Sequence, residues 1–358
     1  MPKNRAEGIM IPNNPKSILV IKLDHIGDVL WATPALATIR QNCPSAKITV
    51  LCTRYTEPAL RNNPNVDRII ACDDNIKRAL ADCKKLFGVE VPIPDVTICM
   101  DPRPDAIALA GATKAAVRAG CYYPDKPMSV INSMTCLTDR LYHPAKTKEN
   151  REKPPHDVLV NLDMLTMIGI GDNPIMETKI YLTDDEKALA ENVLSEHGLL
   201  DKRIIMYHLP LKWLDGEWNA EYVAKLANLL IERNPGFRLL VTCGPKEESL
   251  MDSIRPTLPS GSVCLAGMDF RIWSGLVGHC KLLVSRDCGA VHVAAAMQTP
   301  VISVFEASKW PEHLRWEPWG VEHVNINRPE TWDSEKESRH LQEMLDAAES
   351  LLVSAAAK

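Results

Sequence analysis

Two stretches of the chain set acid, histidine and glycine side by side directly after an apolar run. The first is Lys22–Asp28, KLDHIGD, which follows SILVI and leads into VLWATPALATIR. A carboxylate at Asp28 can draw a proton from a hydroxyl. It can equally cap the helix that starts there, where free N–H groups favour an acid. Gly27 permits a tight turn before it, and His25 either assists Asp28 or caps the loop. The second stretch is Ser285–His292, SRDCGAVH. Gly289 lets a ligand approach the backbone, and a helix beginning there offers N–H groups to phosphate. His292 lies one turn in. A plain strand-to-helix corner with a capping Asp287 and a packed histidine fits the same letters.

Both corners need strands before them and helices behind them, and the chain supplies these in alternation. Residues 46–53, 65–73, 94–101 and 115–120 read as strands, with helices at Thr56–Asn62, Asn75–Phe87 and Asp105–Ala112. VLWATPALATIR reads as one continuous helix. Residues 121–155 hold five prolines and read as an irregular, substrate-facing loop; His156–Ile168 reads as helix. The second half repeats the pattern, with strands at 203–209, 237–244, 262–267, 281–287 and 300–305. Its helices run from Thr183 to His197, with Thr183 and Glu186 in capping-box register, and over Trp218–Arg233, Asp269–Gly278, Gly289–Met297 and Ser334–Val353. Alternation of this kind implies parallel, doubly wound sheets. The expected organisation is a leader at 1–16, a Rossmann-like acceptor domain at 17–170, a linker at 171–182, a Rossmann-like donor domain at 183–333 and a terminal helix at 334–358. A cleft between two such halves is the default ligand site.

Composition narrows the function. The net charge of −5 argues against a general nucleic-acid binder. Residues 1–180 carry 23 Lys/Arg against 20 Asp/Glu, and residues 181–358 carry 18 against 26, so the first half is the one suited to an anionic partner. The 11 cysteines are scattered, with no C-x-x-C pair and no Cys/His cluster at ligand spacing, and read as reduced thiols of a cytosolic protein. No window reaches transmembrane length, so a membrane role would be peripheral. No G-x-G-x-x-G follows either opening strand, which disfavours a NAD-dependent dehydrogenase.

Five segments, in this order and spacing, resemble glycosyltransferase family 9, the ADP-heptose:lipopolysaccharide heptosyltransferases. They are KLDHIGDVLWATPAL, DPRPDAIALAGATKAAVRAG, His208 with Trp218 ten residues on, SRDCGAVHVAAAMQTPVISVF, and RWEPWG. The resemblance implies an α/β GT-B fold, two Rossmann-like domains facing across a cleft, and metal-independent transfer with inversion at the sugar. It implies no cofactor beyond a nucleotide sugar, ADP-heptose, and a lipopolysaccharide-core or other glycan acceptor. It places the enzyme in the cytoplasm, at the cytoplasmic face of the inner membrane. Asp28 matches the family's base, and the Asp287-Cys288-Gly289 turn with His292 matches the donor contacts.

Three departures fall on the donor side. The family's H-P-G-A-S…K-R-W-P becomes HLPLKWLDGEWN, so Gly216–Glu217 stand where a Lys–Arg pair is usual. Lys212, four residues upstream, either replaces that charge beside the diphosphate or is a surface lysine. Cys288 stands for a threonine, and Glu306-Ala307-Ser308-Lys309 for a Gly-Pro-Thr turn. These changes leave open another nucleotide sugar, a protein or small-molecule acceptor, or a nucleotide-sugar-binding protein without transfer activity. On the acceptor side, Asp101 and Arg103 follow a strand end. Arg103 either meets a phosphate or carboxylate of the acceptor or is solvated, with Asp101 a helix-start acid. Trp310, Trp316 and Trp319 read as packing or as a sugar or base platform.

Overall fold

The computed structural model describes residues 11, 14–73, 92–144, 150, 152–214 and 219–356. The expected helix at Asn75–Phe87, most of the leader, and Gly216, Glu217 and Trp218 lie outside the described residues.

The chain divides into two compact units: residues 1–181 with 314–316, and residues 182–313 with 317–358. The first unit holds β1 (Ser17–Ile21), β2 (Lys47–Thr53), β3 (Arg68–Cys72), β4 (Val96–Cys99), β5 (Val117–Tyr122) and β6 (Asp139–Tyr142), ordered β3-β2-β1-β4-β5-β6. The second holds β7 (Arg203–His208), β8 (Phe237–Cys243), β9 (Val263–Ala266), β10 (Leu282–Arg286), β11 (Val301–Glu306) and β12 (His323–Arg328), ordered β12-β11-β10-β7-β8-β9. Every pairing is parallel. Both sheets therefore follow one Rossmann-type order, reversing direction at a central strand.

β1 is central because its branched residues are covered on both faces; Ile18–Ile21 are buried. Its ladder runs one residue further, the Lys22 N–H donating to the Leu51 carbonyl. The helix expected after Asp28 is two helices, α1 (Ile26–Trp31) and α2 (Thr33–Asn42). Pro34 is the cause: it has no N–H for the Leu30 carbonyl four residues back. The Thr33 hydroxyl donates to that oxygen instead, at 2.7 Å. Gly27 sits inside α1 and not in a left-handed turn, so the turn before Asp28 does not depend on it.

After α3 (Glu57–Leu60), α4 (Pro104–Ala112) packs beside β4 and β5. The region expected to be irregular, 121–155, contains helix α5 (Pro127–Cys136) and edge strand β6. Helix α5 runs against the usual polarity. Ser129 and Ser133 are buried while Met128, Ile131 and Met134 are exposed. Ser129 Oγ donates to the Pro102 carbonyl and accepts from the Tyr123 N–H. α6 (Asp157–Met167) starts behind His156, whose Nδ1 accepts from the Val158 N–H. Residues 172–180 lie along the first unit, where Thr38 Oγ1 accepts from the Ile175 N–H.

In the second unit, α7 (Asp184–Glu196) opens with the complete Thr183/Glu186 capping box, and Glu186 also forks onto the buried Arg271 at 2.6 and 2.7 Å. α8 (Ala220–Arg233) begins at 220 because the Asn219 side chain caps it, accepting from the Tyr222 N–H. α9 (Glu248–Ile254) and β12 are elements with no counterpart in the sequence reading. α10 (Phe270–His279) and α11 (Gly289–Ala296) follow β9 and β10. α12 (Ser334–Ala356) packs Leu341, Met344 and Leu345 into the same core as Tyr207, Leu226 and Val284. Among the described residues no helix is long and apolar enough to cross a membrane.

Candidate active site

In the first unit, the C-terminal ends of β1, β4 and β5 and the start of α6 enclose a pocket of ≈ 190 Å³. Asp28, in the first turn of α1, lines it and is half-buried. Among the described residues no hydrogen bond or ion pair reaches its carboxylate. Burial pushes its pKa up to about 7, helped by the nearby charges of Asp24, Asp157 and Asp101 and opposed by Lys22. A carboxylate so placed is a base that is half-ionised near neutrality.

Around Asp28 the other charges are tied down. Lys22 is buried, and its ammonium donates to Asp24 Oδ2 and to the Met100 carbonyl, both at 2.8 Å. Burial alone would discharge it, but Asp24, Asp28 and Asp101 together raise its pKa. Arg103 Nε donates to Asp101 at 2.9 Å and lies 3.1 Å from Asp24 Oδ1. Deeper in, Arg315 meets Asp157 through Nε and Nη2, each at 3.2 Å. Burial would raise the Asp157 pKa, but His143 and Arg315 hold it down to about 2. Lys126 sits over the Tyr123 ring at 4.5 Å. It is the one cation lining the pocket without a carboxylate partner among the described residues.

This geometry changes the acceptor assignments. Asp101 is fully buried and grips Arg103, also taking its backbone N–H at 3.0 Å, so it positions that arginine rather than meeting an acceptor. Arg103 lines the pocket with its charge already met twice. His25 is exposed, caps α1 with no side-chain bond and does not line the pocket. Gly27 does not line it either. The sequence reading missed Lys22, Asp24, Tyr123, Lys126, His143, Asp157 and Arg315. Arg315 lies inside the RWEPWG motif, but its partner Asp157 is 158 residues away along the chain.

In the second unit, the ends of the adjacent strands β7 and β10 bring most donor-side residues together. The His208 carbonyl accepts from Ser285 Oγ at 3.1 Å and from the Trp213 indole N–H at 3.0 Å. The His208 ring lies beside Thr242 Oγ1 at 3.0 Å, and burial lowers its pKa to about 4, so it is neutral. Lys212, on the 3-10 turn Leu211–Leu214, donates to the Asp287 carbonyl at 2.6 Å and approaches Asp287 Oδ2 at 3.5 Å. Asp287 thus holds Lys212 rather than backbone amides. Cys288 is the N-cap of α11 in extended conformation with no side-chain cap bond, and its Sγ lies 3.5 Å from Ser285 Oγ. Gly289 opens the helix. His292 is buried inside its first turns and is not at the exposed end. Trp310 is 56% exposed and packs on His313, which stacks on Phe305. Among the described residues no group of three or more His, Cys, Asp or Glu could hold a metal ion.

The model of glycosyltransferase family 9 (heptosyltransferase) matches residues 141–345, more than half of the chain. The chain is 27% identical over 305 residues, 82% of each partner, to lipopolysaccharide heptosyltransferase 3 of Escherichia coli strain K12. A solved family 9 glycosyl transferase from Veillonella parvula DSM 2008 matches with a TM-score of 0.81 at 20% identity, covering 97% of this chain and 100% of that one. The E. coli heptosyltransferase WaaC solved with ADP-2-deoxy-2-fluoro heptose matches at 0.67 and 18%, covering 92% and 99%. These two structural likenesses speak for the fold, which is GT-B. The family model covers more than half of the chain: the chain belongs to glycosyltransferase family 9 and is a glycosyltransferase.

Proposed function

We propose that the enzyme transfers a heptose from ADP-heptose to a sugar hydroxyl of the lipopolysaccharide core, with inversion and without a metal, from the cytoplasmic face of the inner membrane. The observation that carries the reading is Asp28: a carboxylate that no hydrogen bond reaches among the described residues, open to a pocket, with its pKa pushed up to about 7. Asp28 takes the proton of the acceptor hydroxyl as that oxygen bonds to the anomeric carbon. The bond from that carbon to the diphosphate breaks, and the electron pair leaves with ADP. Negative charge growing on the diphosphate is met by the N–H groups at the start of α11 and by Lys212. The similar structure solved with ADP-2-deoxy-2-fluoro heptose and the name of the E. coli relative support this choice of donor and acceptor.

The test is transfer from ADP-heptose to lipopolysaccharide-core acceptors in the presence of EDTA, with anomeric configuration read by NMR. Asp28→Asn should lower kcat by about 10²–10⁴-fold, the usual worth of a positioned base. Full activity in that variant, or a preference for a UDP-sugar, would sink the reading.

A further inference from the structure

The cluster around Asp28 has an uneven charge count. Two cations, Lys22 and Arg103, face three carboxylates, Asp24, Asp28 and Asp101. Asp24 is bonded to Lys22 and Arg103, and Asp101 to Arg103. Asp28 is the carboxylate left over, and among the described residues no hydrogen bond reaches it. Asp157, from α6, adds a further negative charge facing Asp28, but it is matched by Arg315 and lies beside His143. Tyr123, Lys126 and Cys121, whose thiol is pushed up by burial, complete the charged and titratable lining.

Lys22 stands at the hinge of this count. Its attraction to Asp28 is the leading one that opposes burial, with Arg103 also facing that carboxylate. It extends β1, the strand that leads into α1, and its ammonium is pinned by Asp24 in front and by the Met100 carbonyl behind. Two of its three N–H donors are thus committed inside the protein, and the side chain lines the pocket. A lysine on the surface would be free to leave; this one cannot. We infer that Lys22 is a positioning residue for the transfer: its buried, doubly tethered ammonium keeps Asp28 ionised often enough at neutral pH to serve as the base. The inference rests on Asp28 being that base. Lys22 itself stays protonated throughout and transfers no proton.

Removing the charge leaves one arginine facing three carboxylates, and the cheapest remedy is for Asp28 to keep its proton to higher pH. The experiment is a ¹³C carboxyl NMR titration of Asp28, assigned by its loss in Asp28→Asn, in wild type, Lys22→Met and Lys22→Arg. The acid limb of kcat/KM against pH is followed in parallel. In Lys22→Met the Asp28 midpoint should rise by roughly one pH unit or more, the usual worth of one close opposite charge. The acid limb should move with it, so that activity lost at pH 7 returns at higher pH. Lys22→Arg should stay near wild type. A folded Lys22→Met whose midpoint does not move, losing activity equally at every pH, overturns the inference in favour of a packing role. Should Lys22→Met fail to fold, Lys22→Gln decides: its amide can still donate to Asp24 and the Met100 carbonyl but carries no charge, so the midpoint should rise as in Lys22→Met, and an unmoved midpoint overturns. The titration needs no turnover, so a wild type inactive on ADP-heptose would sink the proposed function and leave this result standing.

Discussion

Lys212 Nζ lies 2.6 Å from the carbonyl oxygen of Asp287, across 75 residues of sequence. A flexible, exposed lysine is thereby held at the turn that opens α11, where family members would bring a diphosphate. The Asp287 carboxylate at 3.5 Å offsets part of its charge, so the pair is primed to exchange one anion for another. Lys212→Ala should weaken ADP binding about 5–30-fold by calorimetry and leave the acceptor KM unchanged. Lys212→Arg should retain most of the affinity. An unchanged affinity in the alanine variant would return Lys212 to the surface.

Asp28 should cost the fold stability, with a definite sign. Its folded pKa, about 7, lies above the ordinary value of 3.8. Between those two the folded state keeps a proton that the unfolded chain gives up, so stability falls as pH rises from about 4 to about 7. Asp28→Asn removes the penalty. It should stabilise the first unit by about 1–2 kcal/mol at pH 8, discounted for the solvent that reaches the half-buried carboxylate, and by little at pH 4. Melting curves at the two pH values check it; an equal gain at both would show that the effect is not electrostatic.

The sequence made the strands and the Asp28 corner readable because both are local. A buried parallel strand is a short apolar, β-branched run, and Asp28 follows one directly. What surrounds Asp28 is not local: Arg103, Asp157 and Arg315 come from distant parts of the chain, and no spacing rule links them. Helix α5 was hidden for another reason. Its buried face carries Ser129 and Ser133 and its open face Met128 and Ile131, so hydrophobic periodicity points the wrong way. Pro34 split a helix that the apolar spacing alone made continuous. On the donor side the loss of the Lys–Arg pair at Gly216–Glu217 was legible, and Lys212 was a fair candidate. Its bond to Asp287 needed the folded chain.

Lys126 should read the charge of the acceptor, one of the two roles open to Arg103 from sequence. Arg103 is already bound by Asp24 and Asp101, whereas among the described residues Lys126 has the Tyr123 ring and no carboxylate. Lys126→Ala should raise the KM for a phosphorylated or carboxylated acceptor about fivefold, the scale of a partly exposed ion pair. It should leave the KM for a neutral analogue and the kcat unchanged. Equal losses on both acceptors would assign Lys126 to packing on Tyr123.

Asp157 and Arg315 should govern stability in acid. The Asp157 pKa lies at about 2, below the ordinary 3.8, so this contribution is present above about pH 4 and is lost as pH falls through about 2. Arg315→Ala leaves Asp157 with His143 alone and should cost about 2–3 kcal/mol at pH 7. Without the arginine the Asp157 pKa climbs, so the loss of stability in acid should begin at higher pH than in wild type. Urea unfolding across pH 2–7 measures both effects, and an unchanged acid limb would contradict the pairing.

Cys288 is the donor-side departure with the plainest physical cost. It occupies the N-cap of α11 in the extended conformation that a capping serine or threonine adopts, yet only a weak thiol contact toward the Ala290 N–H stands where an oxygen cap bond would be. Its thiol, pushed up by burial, stays protonated and is a weak acceptor. Cys288→Ser keeps the volume close and supplies an oxygen for the N–H groups of the first turn. The second unit should gain about 0.5–1 kcal/mol, near the usual worth of an N-cap, read as a raised melting temperature. The same hydroxyl lies where phosphate would meet those N–H groups, so ADP affinity separates two outcomes. A tighter complex would mean the oxygen joins the phosphate contacts; a weaker one would mean the cap bond competes with the ligand for the same donors. A lower melting temperature would show that the Sγ contact with Ser285 matters more than the missing cap.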